Sequence, residues 1–476
     1  MRVESDAGGV VGTTAFTYDD RGRLLSEWRT RDGGMLTDYH YVYAYDQVGN
    51  RTVKTTTDGQ GQVLTTEYHY DVEAPATYGS NNNRLMYAET FDELQTPRAL
   101  VSTTWYYYVT KRSGVTDIPL GNIERVVTKA VGSEWYEAKR FVYAQNLQAV
   151  AYVMGEKWQW DGQSPPTQYA VTFIREFRYD GARERYLNRA LNPGNPSQVL
   201  SSTWTDYDGD EPYGDYTVSG GSVSPLRSFE LGIGTVDPWA GAGGASTSYY
   251  HGDLIGTTRL LSGPAGEVSP GTESVYTAFG EPISGANHRY GYAGAWGYQA
   301  DDVQGAGGAD FPYLHVGHRY YDPSIGRFLQ RDPIGIFGGL NVYAYGRVRP
   351  TSAVDPNGTY PLGALQMQAE YNGLRAMGKS PEEAAQMLVD RTEAEIMFTA
   401  ACFTGVAVGA IAVAYLAAID VVYLADAAAY GGIRFVERYH KQIWSVLKWV
   451  GSTIGGAVVD KATGASDKII EWWREL

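Results

Sequence analysis

An aromatic residue, any residue and then Tyr-Asp recur along the first half of this chain. The Tyr-Asp pairs begin at Tyr18, Tyr45, Tyr70 and Tyr179, and the first three are 27 and 25 residues apart. Alternating aromatic residues indicate a strand with one buried face, and the Asp-x-x-Gly that follows the first two pairs indicates a turn. One hairpin cannot bury its own apolar face, whereas stacked hairpins can. The repeat therefore predicts a long β-structure wound from hairpins over residues 1 to about 357, with an ordinary β-sandwich as the alternative.

The composition supports a β-rich chain and excludes several classes of function. The 476 residues include 38 Tyr and 57 Gly, which favour pleated, half-buried surfaces and turns. The net charge of -15 argues against a protein that binds nucleic acid through a general basic field. Cys402 is the single cysteine, which rules out an internal disulfide framework and a cysteine-based zinc cluster. The N-terminus lacks a signal-peptide pattern and starts within a strand-and-turn pattern, so we expect the C-terminal part of a longer protein.

The segment from Gly317 to Gly358 separates two unlike parts of the chain. Tyr-rich and Gly-rich sequence precedes it, and apolar, Ala-rich sequence follows it. It contains three Asp-Pro pairs, two of which open the tetrapeptides Asp332-Pro-Ile-Gly335 and Asp355-Pro-Asn-Gly358. Asp, then Pro, then Gly at the fourth position is the preferred sequence of a type I turn. From spacing alone, both tetrapeptides are predicted to be turns.

Several segments in this order resemble the RHS, or YD-repeat, family and its repeat-associated core. The Tyr-Asp units resemble the family's repeats, and the core-like segments are Tyr249–Val268, Ser274–Gly285, Gly291–Tyr298, His315–Gly335 and Val354–Gly358. In that family the repeats form a strip of β-sheet that spirals into a hollow cocoon, and the core closes one end. The resemblance thus implies a mainly β fold, with a repeat shell over 1–245, a core over 246–358 and a variable helical region over 359–476.

The resemblance also implies a catalytic site, because many members cut themselves at the end of the core with two aspartates. Carried over to this chain, the pair is Asp332 and Asp355, and Arg327 is a candidate positioning cation. Two close carboxylates cannot both ionise easily, so one acts as general base on water while the other keeps its proton and polarises the carbonyl. The family usually has Leu after the second tetrapeptide, whereas Thr359 stands here, before Tyr360. Cleavage between Thr359 and Tyr360 and a purely structural pair of turns are both open.

The region after the core carries helical patterns. Ser380-Pro381-Glu382-Glu383 has the sequence of a helix start. Residues 396–419 carry no charge over twenty-four positions, more than the roughly 20 that span a bilayer, and they include a GxxxG motif at Gly405. They form a candidate transmembrane helix, with a buried helix in a soluble bundle as the alternative. Arg434 to Val450 is amphipathic, which fits a membrane interface or an ordinary surface helix.

Two functions fit these patterns. The first is a secreted or cell-envelope bacterial protein of the polymorphic-toxin type, with an immunity protein or a secretion-system component as partner and a membrane as target. The second is an envelope adhesin or carbohydrate-binding protein anchored by residues 396–419. We expect no cofactor, no metal ion and no nucleic acid, and at most a self-cleaving aspartyl peptidase as enzyme. His315 and His318 have no third ligand nearby, which favours packed strand histidines over a metal site.

Overall fold

A computed structural model gives the structure of the protein. It describes residues 2–359 except 7–8, 32–35, 72–82, 114–115, 145–148, 161–167, 182, 209–210, 220–221, 238–245, 302–310 and 336–338. These residues belong to one compact unit, Met1–Pro361. The predicted helical region, including the candidate transmembrane helix over 396–419, lies outside the described residues.

The described chain is mainly β, as the repeat predicted. Nineteen strands form one sheet: β1 Arg2–Asp6, β2 Gly9–Tyr18, β3 Leu24–Arg31, β4 Leu36–Tyr45, β5 Arg51–Asp58, β6 Val63–Tyr70, β7 Leu85–Asp92, β8 Ala99–Ser113, β9 Thr116–Ala130, β10 Trp135–Ala144, β11 Ala149–Gln159, β12 Gln168–Arg178, β13 Leu187–Asn192, β14 Asn195–Asp208, β15 Glu211–Ser219, β16 Ser222–Glu230, β17 Gly234–Asp237, β18 Ser246–Gly252 and β19 Thr258–Ser262. Each strand pairs antiparallel with the next strand along the chain. This meander is the architecture expected of stacked hairpins.

The Tyr-Asp units mark where a strand ends and a turn begins. Strands β2, β4 and β6 end on the tyrosines of the first three units. In the first unit the Gly22 amide donates to the Asp19 carbonyl at 2.9 Å, and the Asp19 carboxylate accepts from the Arg21 and Arg23 amides at 3.0 and 2.8 Å. The turn prediction is therefore confirmed, and its cause is local because the aspartate side chain binds its own turn.

Six short strands follow the large sheet and form two small sheets. A hairpin pairs β20 Ser274–Tyr276 with β21 Pro282–Gly285. A four-stranded sheet is built from β22 Gln299–Ala300, β23 Leu314–Val316, β24 Arg319–Asp322 and β25 Arg327–Phe328. Single 3-10 turns occupy Gly294–Trp296 and Gly346–Val348.

Aromatic residues join the short strands to one face of the large sheet. The largest cluster contains side chains of β6, β8, β10, β11 and β12 together with residues 311–343: Tyr68, Tyr70, Tyr106, Tyr108, Phe141, Val153, Phe177, Phe311, Tyr313, Tyr320 and Tyr343. A second cluster lies within the short-strand region around Tyr292, Tyr321 and Tyr345. The alternating tyrosines of the repeats thus bury one face against the segment that carries the Asp-Pro pairs, which fixes that segment in place.

Candidate functional site

Asp332 and Asp355 each open a hydrogen-bonded turn. The Gly335 amide donates to the Asp332 carbonyl, and the Gly358 amide donates to the Asp355 carbonyl, both at 3.0 Å. Each aspartate side chain also accepts from its own turn, since Asp332 Oδ1 lies 2.9 Å from the Ile334 amide and Asp355 Oδ1 lies 3.0 Å from the Thr359 amide. The turn prediction is confirmed for both tetrapeptides.

The two turns also bring their carboxylates to a single cation. Nη2 of Arg319, the first residue of β24, lies 3.1 Å from Asp332 Oδ2 and 3.1 Å from Asp355 Oδ2. Arg319, Asp332 and Asp355 are 2%, 6% and 0% exposed. Turn formation and convergence of the carboxylates therefore occur together, and neither excludes the other.

Arg319 is held on every side. Its Nη1 donates to the Val342 carbonyl at 3.2 Å, and its Nε donates to the Gly358 carbonyl. The guanidinium carbon lies 3.6 Å from the centroid of the Phe328 ring, which is a cation–π distance. Asp355 is fixed from its other side, because its amide donates to Tyr298 Oη at 2.6 Å. The three charged groups are therefore preorganised.

Burial changes the proton affinity of the site. Desolvation raises the pKa of Asp332 to about 6, although the Arg319 charge and the Ile334 amide act in the opposite direction. The nearby Asp355 charge adds to the increase. Burial also lowers the pKa of Arg319, against the pull of the two carboxylates. Near neutral pH, Asp332 can therefore exchange a proton, which is the property that a general acid requires.

Residues 357–359, where the chain leaves the core, lie next to this site. The His318 amide donates to the Asn357 carbonyl at 3.0 Å. Gly358 has a φ of +60°, and a Cβ there would overlap the Val316 carbonyl oxygen, so a side chain is excluded on both grounds. With the Gly358 carbonyl on Arg319 and the Thr359 amide on Asp355, the backbone next to the expected cleavage point is bound by the charged groups themselves.

Arg327 occupies a different place from the one the sequence suggested. Its Nη1 lies 3.4 Å from Asn50 Oδ1, its Nη2 donates to the Asn83 carbonyl, and its guanidinium lies 4.9 Å from the Tyr343 ring centroid. The cation that contacts both aspartates is Arg319. Sequence reasoning missed it, although an arginine inside the aromatic run of β24 was a usable signal, because a buried cation needs carboxylate partners.

Other chemistry is sparse in the described residues. His315 is buried, and desolvation lowers its pKa well below the ordinary value, so it is a neutral packed histidine. Over residues 2–359, outside the gaps given above, no group of three or more His, Cys, Asp or Glu side chains could hold a metal ion. Within the same residues, no helix is long and apolar enough to cross a membrane.

Comparison with known proteins finds sequence similarity to several toxins. No protein-family model matches. The chain is 36% identical over 379 residues to double-stranded DNA deaminase toxin A of Burkholderia cenocepacia, covering 76% of this chain and 22% of that protein. It is 22% identical over 509 residues to toxin subunit YenC1 of Yersinia entomophaga, covering 83% of this chain and 49% of that one. Toxin protein Tse5 of Pseudomonas aeruginosa is 30% identical over 117 residues, or 24% of this chain and 8% of its own length.

These relatives are toxin proteins, and the chain spans between less than a tenth and about half of their lengths. Among solved structures, the chain is similar to the crystal structure of TcdB2-TccC3-Cdc42, with a TM-score of 0.34 at 17% identity, over 75% of this chain and 19% of that one.

Proposed function

We propose that this chain belongs to a secreted polymorphic-toxin-type protein of the RHS family that cuts itself between Thr359 and Tyr360. Residues 1–245 act as the repeat shell, 246–358 as the core, and 359–476 as the variable effector region. The observation that carries the cleavage proposal is the convergence of Asp332 and Asp355 on Arg319, beside the Thr359 amide. The toxin relatives support the class of protein.

The chemistry follows from the two environments of the carboxyl groups. Asp355, ionised against Arg319, takes a proton from a water molecule whose oxygen attacks the Thr359 carbonyl carbon. Asp332, with its pKa raised to about 6, gives its proton to the carbonyl oxygen. As the intermediate collapses, Asp355 passes its proton to the Tyr360 nitrogen, the carbon–nitrogen bond breaks, and one hydroxyl of the intermediate returns a proton to Asp332. The products are a Thr359 carboxyl group and a Tyr360 amine.

Arg319 acts as a positioning residue in this scheme. It holds both carboxylates and the Gly358 carbonyl in one arrangement, so the backbone that reaches the site is already oriented before water attacks. Since its charge favours the ionised form of a neighbouring carboxyl group, it also keeps the pKa of Asp332 from rising further.

Expression of the full-length chain followed by gel electrophoresis tests the assignment of the catalytic pair. The unmutated protein should give two bands, one for each fragment of a chain cut near residue 359. Asp332→Asn or Asp355→Asn should leave one band of uncut protein. Asp322→Asn is the matched control, because Asp322 also precedes a proline and is buried, yet its carboxylate accepts from Ser324. Cleavage that survives Asp332→Asn, or is lost in Asp322→Asn with its fold intact, would contradict the assignment.

For the effector region we propose action on a target membrane through residues 396–419. The support is the uncharged stretch in the sequence together with the toxin relatives. Expression of residues 360–476 in bacteria should depolarise the membrane and arrest growth, and co-expression of a cognate immunity protein should prevent both. A harmless segment that only carries a reporter to the membrane would instead favour an anchor.

A further inference from the structure

Two of the buried arginines among the described residues lack a carboxylate partner. Arg51 in β5 and Arg327 in β25 are 4% and 6% exposed, and over the described residues neither forms an ion pair within 4.0 Å. Other buried arginines do: Arg185 Nη2, for example, lies 2.7 Å from Asp301. The same holds for Arg84 and Arg319. Burial of an unneutralised charge is costly, so Arg51 and Arg327 require an explanation.

Both of these arginines line one small cavity between the large sheet and the short strands. Gly326 and Asn341 line it as well, and the remaining walls are Tyr45, Gly49, Phe279, Ile325, Ala344 and Val348. None of the lining residues is an aspartate or a glutamate. The volume open to the centre of a water molecule is about 10 Å³, which corresponds to one water or one monatomic ion.

Arg51 has donors left over at this cavity. Its Nη1 donates to the Ser324 carbonyl at 3.1 Å, and the Tyr45 and Tyr68 hydroxyls also approach the guanidinium. Its buried Nε and Nη2 nevertheless have no acceptor in good hydrogen-bond geometry among the described residues. Nη2 faces Gly326, because a Cβ on that glycine would overlap it. Arg327 donates hydrogen bonds to Asn50 Oδ1 and to the Asn83 carbonyl. These neutral acceptors do not neutralise the charge of the Arg327 guanidinium.

The surrounding groups supply only part of the missing negative charge, because Glu281 attracts Arg51 but is in contact with Lys54. The Arg51 guanidinium lies 4.7 and 4.3 Å from the Tyr43 and Phe279 ring centroids, and cation–π attraction offsets only part of the desolvation cost. Glu281 is nearby, but it pairs with the buried Lys54 at 2.6 Å. A water molecule in the cavity would accept hydrogen bonds but leave both positive charges uncompensated. An anion would accept hydrogen bonds and also compensate positive charge.

We propose that this cavity binds one small monovalent anion, which is chloride in physiological buffers. The ion accepts hydrogen bonds from Arg51 Nε and Nη2 and compensates the positive charge of Arg51 and Arg327. It thereby links strand β5 to strand β25. The small volume of the cavity favours a monatomic ion over phosphate, sulfate and organic carboxylates. The bound ion is a structural element of the joint between repeat strands and core, and it is independent of the proposed cleavage.

Thermal unfolding tests this site. The midpoint temperature of the 476-residue chain is compared in chloride and in gluconate at equal ionic strength and pH. Chloride should raise the midpoint saturably, by about 2 °C at ten times its dissociation constant for a unit of this size. Arg51→Met should abolish the dependence on chloride. Arg84→Met is the matched control, because Arg84 is paired with Asp71, and it should keep the dependence while lowering the midpoint.

Crystals grown in bromide give a second readout that needs no variant. An anomalous peak should lie within hydrogen-bond distance of Arg51 Nε, and it should be displaced by excess chloride. This measurement keeps the proposal testable if Arg51→Met does not fold. Equal midpoints in chloride and gluconate, an Arg51→Met protein that still responds to chloride, or a cavity without a bromide peak would each overturn the proposal and leave a water molecule there.

Discussion

Removal of the Arg319 guanidinium perturbs the site at its centre. Arg319→Met takes away the 3.1 Å contacts to Asp332 and Asp355 and leaves both carboxyl groups buried. Loss of one partner from a buried ion pair costs about 3–5 kcal/mol, since the remaining charge has no compensation. We expect a decrease of that size in the free energy of unfolding at pH 8. Arg319→Lys keeps the charge but not the planar fork, so it should lose less.

The loss should depend on pH in a defined direction. The pKa of Asp332 is already raised to about 6 by burial, and Arg319 restrains it, so the pKa rises further in Arg319→Met. A carboxyl group whose pKa is higher in the folded than in the unfolded protein binds more protons when folded. Its contribution therefore lowers stability as the pH rises between the two pKa values. Acidification from pH 8 to pH 5 should stabilise the variant relative to the unmutated protein.

Unfolding in guanidinium chloride at pH 5 and at pH 8 measures this effect. The near-ultraviolet circular dichroism of the buried tyrosines monitors the unfolding. The expected result is a large loss at pH 8 that shrinks at pH 5. A variant as stable as the unmutated protein at pH 8, or equal losses at both pH values, would refute the charge balance described for this site.

Three further predictions concern pH and the backbone. Cleavage should slow about tenfold per pH unit above pH 6, because Asp332 must carry a proton; a rate that increases from pH 6 to pH 8 speaks against its role. Burial raises the pKa of Glu27 to about 7, so Glu27→Gln should be more stabilising at pH 8 than at pH 5, by about 2 kcal/mol in chemical unfolding. Gly358→Ala should abolish cleavage in a gel assay, because its Cβ meets the Val316 carbonyl, whereas Gly335→Ala, also at positive φ but facing open space, should lose about 1 kcal/mol and still cleave.

The repeat strands were predictable because their signals are local. The tyrosine that ends a strand and the aspartate that caps the turn are adjacent in the sequence, and each acts within four residues. The later strands lack this unit. Strand β16, for instance, buries only Phe229 well, and all its other residues except the partly buried Pro225 are exposed. It joins the sheet through backbone hydrogen bonds to its neighbours, which any sequence with β-propensity can make, so no motif locates it.

The aspartates were predictable for the same reason, but the cation was not. Asp332 and Asp355 stand in tetrapeptides that encode their own turns, and the resemblance paired them. Arg327 is nearer to Asp332 along the chain than Arg319 is, yet β25 directs it towards Asn50 and Asn83. Which arginine meets the pair depends on how β24 and β25 pack against the large sheet. The local sequence indicates only that Arg319, next to aromatic residues, needs carboxylate partners, and this long-range packing decides which carboxylates they are.

Intact-mass spectrometry of the freshly purified 476-residue chain tests the central claim most directly. Hydrolysis between Thr359 and Tyr360 predicts two polypeptides, residues 1–359 and 360–476, whose masses add up to the full chain plus one water. A single species at 52.3 kDa, the mass of the uncut 476-residue chain, or cleavage at another bond, would contradict it.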